Sequence, residues 1–329
     1  MTRPLFDIND LCVTVTRRGE EKVLVKDVSL AVDAAQSVGL VGESGSGKSM
    51  TIRAAMRLLP SSMTVQGGIE FDGTDVLALG RRDLTTYRAR DVALIYQDPR
   101  AHINPTRTIA QFVTEGVIHT DLMTLPDATA RACELMRSVG ISDPDRRMAQ
   151  FPHELSGGLL QRVMIVAALL PSPRLVFADE PTTALDVTVQ SDVMAVLLEQ
   201  IRDRHAAMLF VTHDLDLAAA VTDRLAVMYA GSIVETGPSE HVYERPLHPY
   251  TAGLLQSRPS TTEVRRLRAI PGRPISAYEA GAGCAFAARC AYVTDLCRVE
   301  RPLPRTIDHR VVACHRTEEI SDQLSEDLG

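Results

Sequence analysis

The chain has 329 residues, of which 45% are hydrophobic and 23% are charged, an ordinary globular composition. Its formal net charge of -7 argues against a nucleic-acid-binding protein, which needs a basic face for phosphate contacts. No apolar run approaches the roughly 18 residues of a membrane-spanning helix. The first ten residues contain acids and lack the apolar core of a signal peptide. We therefore expect a soluble, cytosolic protein, for which any membrane role must come through partners.

Taken in chain order, the sequence predicts an α/β core with a helical insertion. Short β-prone runs occupy the first 75 residues, and Ser37 to Gly42 is an apolar strand that enters a glycine-rich loop. Later apolar runs ending in polar residues are typical of parallel strands buried on both faces. Helical periodicity appears between them, and proline, arginine and cysteine accumulate after Gly237. We predict an α/β core with a mixed sheet over residues 1–99 and 169–236, a helical subdomain over 100–168, and a C-terminal region over 237–329 whose last dozen residues are frayed.

The glycine-rich segment that follows the first apolar strand fits the phosphate-binding loop pattern in every fixed position. It reads Gly42-Glu-Ser-Gly-Ser-Gly-Lys48-Ser49 and opens a predicted helix, as the mechanism requires. Backbone N–H groups of such a loop wrap a phosphate, while Lys48 reaches the β- and γ-phosphates and Ser49 ligates Mg²⁺. The predicted nucleotide contacts in this segment are Gly42, Ser44, Gly45, Ser46, Gly47, Lys48, Ser49 and Met50.

A second strand end carries paired acids, since Leu175-Val-Phe-Ala runs into Asp179 and Glu180. Asp179 is placed to hold the Mg²⁺ of a nucleotide, and Glu180 is placed to polarise a water for attack on the γ-phosphate. Paired acids at a strand end are often only solvated, but the phosphate loop upstream favours the functional interpretation. The two elements predict a nucleoside triphosphatase and no more.

The sequence between these elements decides the family. Leu155-Ser156-Gly157-Gly158, followed by Gln161-Arg162, resembles the signature motif of ABC ATPases. Tyr96-Gln97-Asp98 resembles the Q-loop of that family, Ala184-Leu-Asp186 its D-loop, and His213 its switch histidine. The resemblance covers about residues 5 to 240.

The resemblance implies a Mg²⁺-dependent ATPase that works as a dimer. Glu180 and His213 are then the catalytic residues, and Mg²⁺ is held by Ser49, Gln97 and Asp179. Residues expected to act across the dimer on the nucleotide of the opposite subunit are Ser156, Gly157, Gly158 and Asp186.

Two positions depart from the family pattern. Leu159 stands where the family most often has Gln after the two glycines, which spares the anion-binding backbone. The stretch from Val13 to Thr16 has no aromatic residue to stack on adenine, so no residue is assigned to that role.

The C-terminal region resembles that of the oligopeptide/dipeptide importer ATPases. The segment Leu247-His-Pro-Tyr-Thr251 begins this resemblance, which extends to His315. It implies uptake of di- or oligopeptides, although other members carry nickel, glutathione or oligosaccharides. It also implies a second, non-identical ATPase subunit, two membrane permeases and an extracytoplasmic solute-binding protein, with this chain peripheral at the cytoplasmic face of the membrane and no nucleic acid bound.

Four cysteines of this region lie with five, six and sixteen residues between neighbours. Clustered cytosolic thiolates can hold a metal or an iron–sulfur centre, and this spacing differs from the paired pattern of structural zinc sites. The resemblance implies a possible [4Fe–4S] cluster with a structural role, and zinc or free thiols are the alternatives. The candidate ligands are Cys284, Cys290, Cys297 and Cys314.

Two other classes of protein compete with a transporter subunit. Soluble ABC ATPases that act on ribosomes or DNA usually fuse two cassettes or insert long coiled coils or zinc modules, and this chain has a single cassette. A nucleotide kinase would share the phosphate loop but would not explain Leu155 to Arg162.

Overall fold

The computed structural model describes residues 3–17, 19–182, 187–257 and 269–326. The strands are β1 (Phe6–Arg17), β2 (Glu20–Val32), β3 (Ser37–Val41), β4 (Met63–Phe71), β5 (Thr74–Asp75), β6 (Val92–Ile95), β7 (Leu175–Asp179), β8 (Ala207–Thr212), β9 (Arg224–Tyr229), β10 (Ser232–Pro238), β11 (Arg305–Ile307) and β12 (Arg310–Val312). The helices are α1 (Lys48–Ala55), α2 (Arg81–Thr86), α3 (Pro99–His102), α4 (Ile109–His119), α5 (Leu125–Ser138), α6 (Pro144–Ala149), α7 (Gly157–Leu169), α8 (Val187–Asp203), α9 (Leu215–Val221), α10 (Ser239–Glu244), α11 (Pro249–Gln256), α12 (Asp295–Val299) and α13 (Thr317–Glu326).

The chain forms two compact units. The first unit comprises residues 1–32, 37–77 and 211–329, and the second comprises residues 33–36 and 78–210. The domains predicted from the sequence end at residues 99, 168 and 236, which are not the boundaries of these two units. That domain division stays a prediction. None of the described helices is long and apolar enough to cross a membrane.

The first unit contains an antiparallel sheet in the order β2-β1-β4-β5. Alternate residues of β1 are buried, beginning with Phe6 and Ile8, as expected for a strand with one face on the core. The same unit pairs β3 in parallel with β9, and β9 antiparallel with β10, which in turn pairs with β12. Parallel and antiparallel pairs therefore share one sheet, which confirms the mixed sheet.

In the second unit, β6 and β7 run parallel, with Val92 beside Leu175 and Ile95 beside Ala178. The residues of β7 from Leu175 to Ala178 are fully buried, as predicted for a strand covered on both faces. Between Pro99 and Leu169 the described residues form helices α3 to α7. The α/β fold class is confirmed.

The end of the chain differs from the sequence-based expectation. Thr317 to Glu326 form helix α13 rather than a frayed tail. Ile320 and Leu324 are each 1% exposed and pack with Ala252 and Tyr292. These two apolar residues are four positions apart, so they share one helix face and bury it against the first unit.

Candidate nucleotide site

The phosphate-loop segment joins β3 to α1 in a conformation that depends on glycine. Gly45 and Gly47 have φ angles of 81° and 111°, which are in the left-handed region. A Cβ atom on Gly42 would lie 2.1 Å from the backbone oxygen of Met228. The loop can therefore pass close to β9 only because position 42 has no side chain.

Two polar side chains of the loop are buried. Lys48 is 5% exposed, and its Nζ donates to the carbonyl oxygens of Gly42 at 2.6 Å and Glu43 at 3.1 Å. Ser46 is 3% exposed, and its hydroxyl has no hydrogen-bond partner among the described residues. A buried hydroxyl without a partner is costly, and a bound phosphate would supply one. The loop therefore fits the phosphate groups of a nucleotide.

The other predicted residues of the first unit lie at chemically accessible positions. Ser44 and Gly45 are exposed, while Ser49 and Met50 are half-buried in the first turn of α1. His213 is exposed directly after β8, and the next residue, Asp214, caps α9 by accepting from the Leu217 N–H at 3.0 Å.

In the second unit, the structure brings two of the predicted residues together. Asp179 ends β7, and Glu180 follows it with a φ of 46°, a left-handed conformation that is uncommon for non-glycine residues. Gln97 Nε2 donates to the Glu180 carboxylate at 3.1 Å. Gln97 is thus in direct contact with the candidate general base.

The predicted signature segment forms the start of α7. Ser156 is the N-cap, and its hydroxyl accepts from the Leu159 N–H at 3.4 Å. A Cβ on Gly158 would lie 2.6 Å from the Val189 side chain, so glycine is needed there for packing on α8. Gly157 is half-buried in the first turn. Asp186, the D-loop candidate, lies outside the described residues.

Helix α7 also holds the segment that precedes Gln97. The Gln161 side chain is fully buried and donates to the Tyr96 carbonyl at 3.3 Å. The Tyr96 N–H donates to the sulfur of Met164 at 3.3 Å. The Gln at position 161 of the signature sequence therefore anchors the residue next to Gln97.

A largely apolar groove of about 230 Å³ lies beside this anchor. Its walls come from β6, α4 and α7, and Tyr96 lines it together with His102, whose ring stacks on Tyr96 at 3.8 Å between centroids. Gly116 of α4 also lines the groove, and a Cβ there would meet nothing within 4 Å.

The four cysteines of the C-terminal region line one small cavity of about 20 Å³, which is room for about one water. Burial raises the pKa of the Cys284 and Cys290 thiols to about 11, and it raises the pKa of Cys314 as well. Among the described residues, no group of three or more His, Cys, Asp or Glu is arranged to hold a metal ion. The donors suit iron or zinc, but their arrangement does not support the predicted metal site.

The segment from Leu247 to Thr251 has a structural role that its sequence did not reveal. The fully buried carboxylate of Glu235 accepts from the N–H groups of Leu247 and His248 at 2.8 and 3.0 Å. His248 in turn caps α11, since its Nδ1 accepts from the Tyr250 N–H at 3.0 Å. Burial lowers the pKa of His248 to about 3, so the ring is neutral and can accept this bond.

Two family models match the chain. The model described as ABC transporter matches residues 25–183, and the one described as oligopeptide/dipeptide transporter, C-terminal region, matches residues 234–297.

Relatives named as oligopeptide transport ATP-binding protein OppD align over most of the chain. The protein from Bacillus subtilis is 40% identical over 88% of this chain and 82% of its own length. The protein from Salmonella typhimurium is 38% identical over 95% of this chain and 93% of its own length.

Solved structures agree on the fold. The dimeric structure of a bacterial ABC transporter cassette has a TM-score of 0.63 at 24% identity, over 71% of this chain and 98% of that one. The ATP-binding subunit of an ABC transporter has a TM-score of 0.59 at 26% identity, over 72% of this chain and 91% of that one. Since the curated relatives cover nearly the whole chain, the chain belongs to the ABC transporter ATP-binding subunits of the oligopeptide/dipeptide transporter family, which couple ATPase activity to transport.

Proposed function

We propose that this chain energises the uptake of di- and oligopeptides through membrane permeases, as a peripheral subunit at the cytoplasmic face of the membrane. The names of the relatives and the match of residues 234–297 support peptides as the solute. The same branch carrying nickel, glutathione or oligosaccharides is the nearest alternative. A soluble ABC ATPase without a transport role explains the C-terminal region less well.

The family resemblance assigns the roles in this chemistry. Lys48 and the loop N–H groups would hold the phosphates, and His213 would contact the γ-phosphate. Ser49, Gln97 and Asp179 would hold Mg²⁺, and Glu180 would be the general base. Mg²⁺, when bound, neutralises phosphate charge. Glu180 accepts a proton from the attacking water while the water oxygen bonds to the γ-phosphorus. The bond between the γ-phosphorus and the bridging oxygen of the β-phosphate breaks, so that ADP and phosphate result.

The observation that carries transport is that Gln97 contacts the base while the preceding residue lines the groove. Gln97 donates a hydrogen bond to Glu180. The adjacent Tyr96 lines the apolar groove, and its carbonyl accepts a hydrogen bond from Gln161 of α7. A short apolar helix from a permease would fit a groove of this character, and we expect the permease to contact the segment from Arg100 to Gln111, which follows Gln97 closely in the sequence. Its arrival would then change the position of Gln97 relative to Glu180.

The remaining partners are proposed on the family resemblance. Ser156, Gly157, Gly158 and Asp186 would act on the nucleotide of a second, non-identical ATPase subunit, with two permeases and an extracytoplasmic solute-binding protein completing the importer.

The iron–sulfur centre also stays a proposal. It is supported by the four thiols that line one cavity and opposed by the small size of that cavity. Cys284, Cys290, Cys297 and Cys314 would have to separate to surround a cluster, whose role would be to hold the C-terminal region together.

Filling the groove tests the proposed function. Gly116→Leu should block the groove, whereas Glu115→Leu places the same side chain on the neighbouring exposed position of α4. Tagged full-length chains would be isolated from membranes of the source organism, and co-purified permeases and a second ATPase would be quantified. We expect both partners with the wild type and the Glu115 variant, and at least a tenfold loss of permeases with Gly116→Leu. Recovery of ribosomes or DNA-repair proteins, or equal permease recovery with both variants, would contradict the proposal.

A further inference from the structure

Glu43, the second residue of the phosphate-loop segment, is held from several sides. Its N–H donates to the Tyr250 hydroxyl at 2.9 Å, and its carbonyl accepts from Lys48 at 3.1 Å. Its carboxylate accepts from both terminal nitrogens of Arg289, at 2.6 and 3.0 Å. Two of these partners belong to the C-terminal region, more than 200 residues away along the chain.

Arg289 is itself fixed in place. It is 7% exposed, and its Nε donates to the Pro271 carbonyl at 2.9 Å. Its guanidinium carbon lies 5.7 Å from the Tyr229 ring centroid, within cation–π range. A guanidinium with this many contacts presents a rigid two-pronged donor, which lysine cannot reproduce.

The charge on Glu43 gives this contact a consequence for ligand binding. A carboxylate in a phosphate-binding loop repels the phosphates, and the repulsion is strong near low-dielectric protein. A bidentate arginine cancels that charge and fixes the carboxylate. The N–H and C=O contacts of Glu43 fix the peptide groups on either side of it, and therefore the preceding Gly42 and the Lys48 ammonium group that donates to the Glu43 carbonyl.

We propose that Arg289 is a positioning residue for the phosphate loop: it neutralises and fixes Glu43, so that the C-terminal region sets the affinity of this subunit for ATP. The inference rests on the proposed role of the loop in phosphate binding. It predicts that the harm done by losing Arg289 comes from the exposed charge of Glu43.

Removing the charge of Arg289, of Glu43 or of both distinguishes charge neutralisation from a merely structural role of Arg289. ATP and ADP dissociation constants would be measured with Mg²⁺ on the full chain carrying Arg289→Gln, Glu43→Gln or both. The expected loss of ATP affinity is about tenfold for Arg289→Gln and below about threefold for Glu43→Gln. The double variant should recover to within about threefold of the wild type, because the unpaired carboxylate is gone. The loss should be larger for ATP than for ADP, since ATP carries more phosphate charge.

The chain offers a matched control in Arg273, which also forms a bidentate pair, with Glu279, but with 71% of its side chain exposed. Arg273→Gln should leave ATP affinity unchanged. Arg289→Lys keeps the positive charge without the two-pronged donor, and its ATP affinity should fall about threefold. This variant replaces Arg289→Gln if the latter does not fold. Hydrogen exchange at the Glu43 amide should also become faster in it.

Three results would overturn the inference: wild-type affinity in Arg289→Gln or, where that variant does not fold, in Arg289→Lys; a double variant no better than Arg289→Gln; or an equal loss in Arg273→Gln. A wild-type chain that binds no ATP would instead refute the proposed function of the loop.

Discussion

The phosphate loop and the cysteine cavity are both lined by groups that suit a charged ligand, but they are constructed differently. The loop takes its shape from backbone, since Gly45 and Gly47 adopt left-handed angles and Gly42 touches β9 without a side chain. The cavity of about 20 Å³ is instead lined by side chains from separate segments, and the four cysteines are among them.

The difference indicates which site is ready for its ligand. Backbone geometry is fixed by folding, so the loop presents its Lys48 and Ser46 donors before a nucleotide arrives. Cysteine thiols can rotate, and burial keeps them protonated, so a metal must displace protons and rearrange its own ligands. The contiguous motif therefore forms its binding site before the ligand is present, whereas the cysteine side chains would reach a binding geometry only with the ligand.

The largest expected effect concerns catalysis. Glu180→Gln should lower ATP turnover at least about 100-fold, because the amide cannot accept the proton of the attacking water, while ATP binding stays within a few-fold. Steady-state ATPase rates and ATP affinity measure the two effects. Glu134→Gln on the exposed face of α5 is the control, and undiminished turnover in Glu180→Gln would remove Glu180 from its role.

A direct test of the preformed loop is Gly42→Ala. The added methyl would lie 2.1 Å from a backbone oxygen of Met228, so the loop must move, and ATP affinity should fall at least about tenfold. Gly68→Ala in β4 is the control, since its nearest neighbour would be 3.7 Å away. Equal affinity in the two variants would show that the loop is adaptable rather than fixed.

Ile320→Ala tests whether the cysteine cavity belongs to an ordinary apolar core. Ile320 lines that cavity and is 1% exposed, so its truncation should cost about 2–5 kcal/mol in the free energy of unfolding. Gln323→Ala on the exposed face of α13 should change it by less than about 0.5 kcal/mol. The free energies of unfolding would be measured with a denaturant. Equal values for both variants and the wild type would contradict the packing of α13.

The smallest effect on turnover is expected from the cysteines. If they hold a cluster or zinc, replacing Cys284, Cys290, Cys297 and Cys314 by Ser should abolish bound iron, sulfide or zinc and change ATP turnover by less than about twofold, since the proposed role is structural. Metal and sulfide would be quantified in chains purified with and without oxygen, with Cys12→Ser as the control. A folded, active wild type without iron, sulfide or zinc would end the metal proposal.

How much the sequence could predict depended on whether the signal was local. The phosphate loop, β7 and α4 were predictable because each is one contiguous pattern. Helical periodicity in the sequence predicts a helix from Ala128 to Val139, but α5 already begins at Leu125, because Thr124 caps it by accepting from the Asp127 N–H. The sequence after the phosphate loop predicts a helix from Met50 to Leu59, but α1 ends at Ala55, and Arg57 adopts a left-handed φ of 50°.

Other features had no local signal. The Glu43–Arg289 contact joins residues 246 positions apart, and no spacing in the sequence indicates it. Helix α13 carried a weak signal in the apolar pair Ile320 and Leu324, which the surrounding acidic residues obscured.

The measurement that tests the central claim most directly is the ATPase rate of the complex isolated from membranes, with increasing solute-binding protein loaded with peptide. If this chain couples hydrolysis to peptide uptake, turnover should rise several-fold and saturate, and Glu180→Gln should remove the stimulated part. A rate that does not respond to peptide-loaded binding protein, in a complex that contains both permeases, would contradict it.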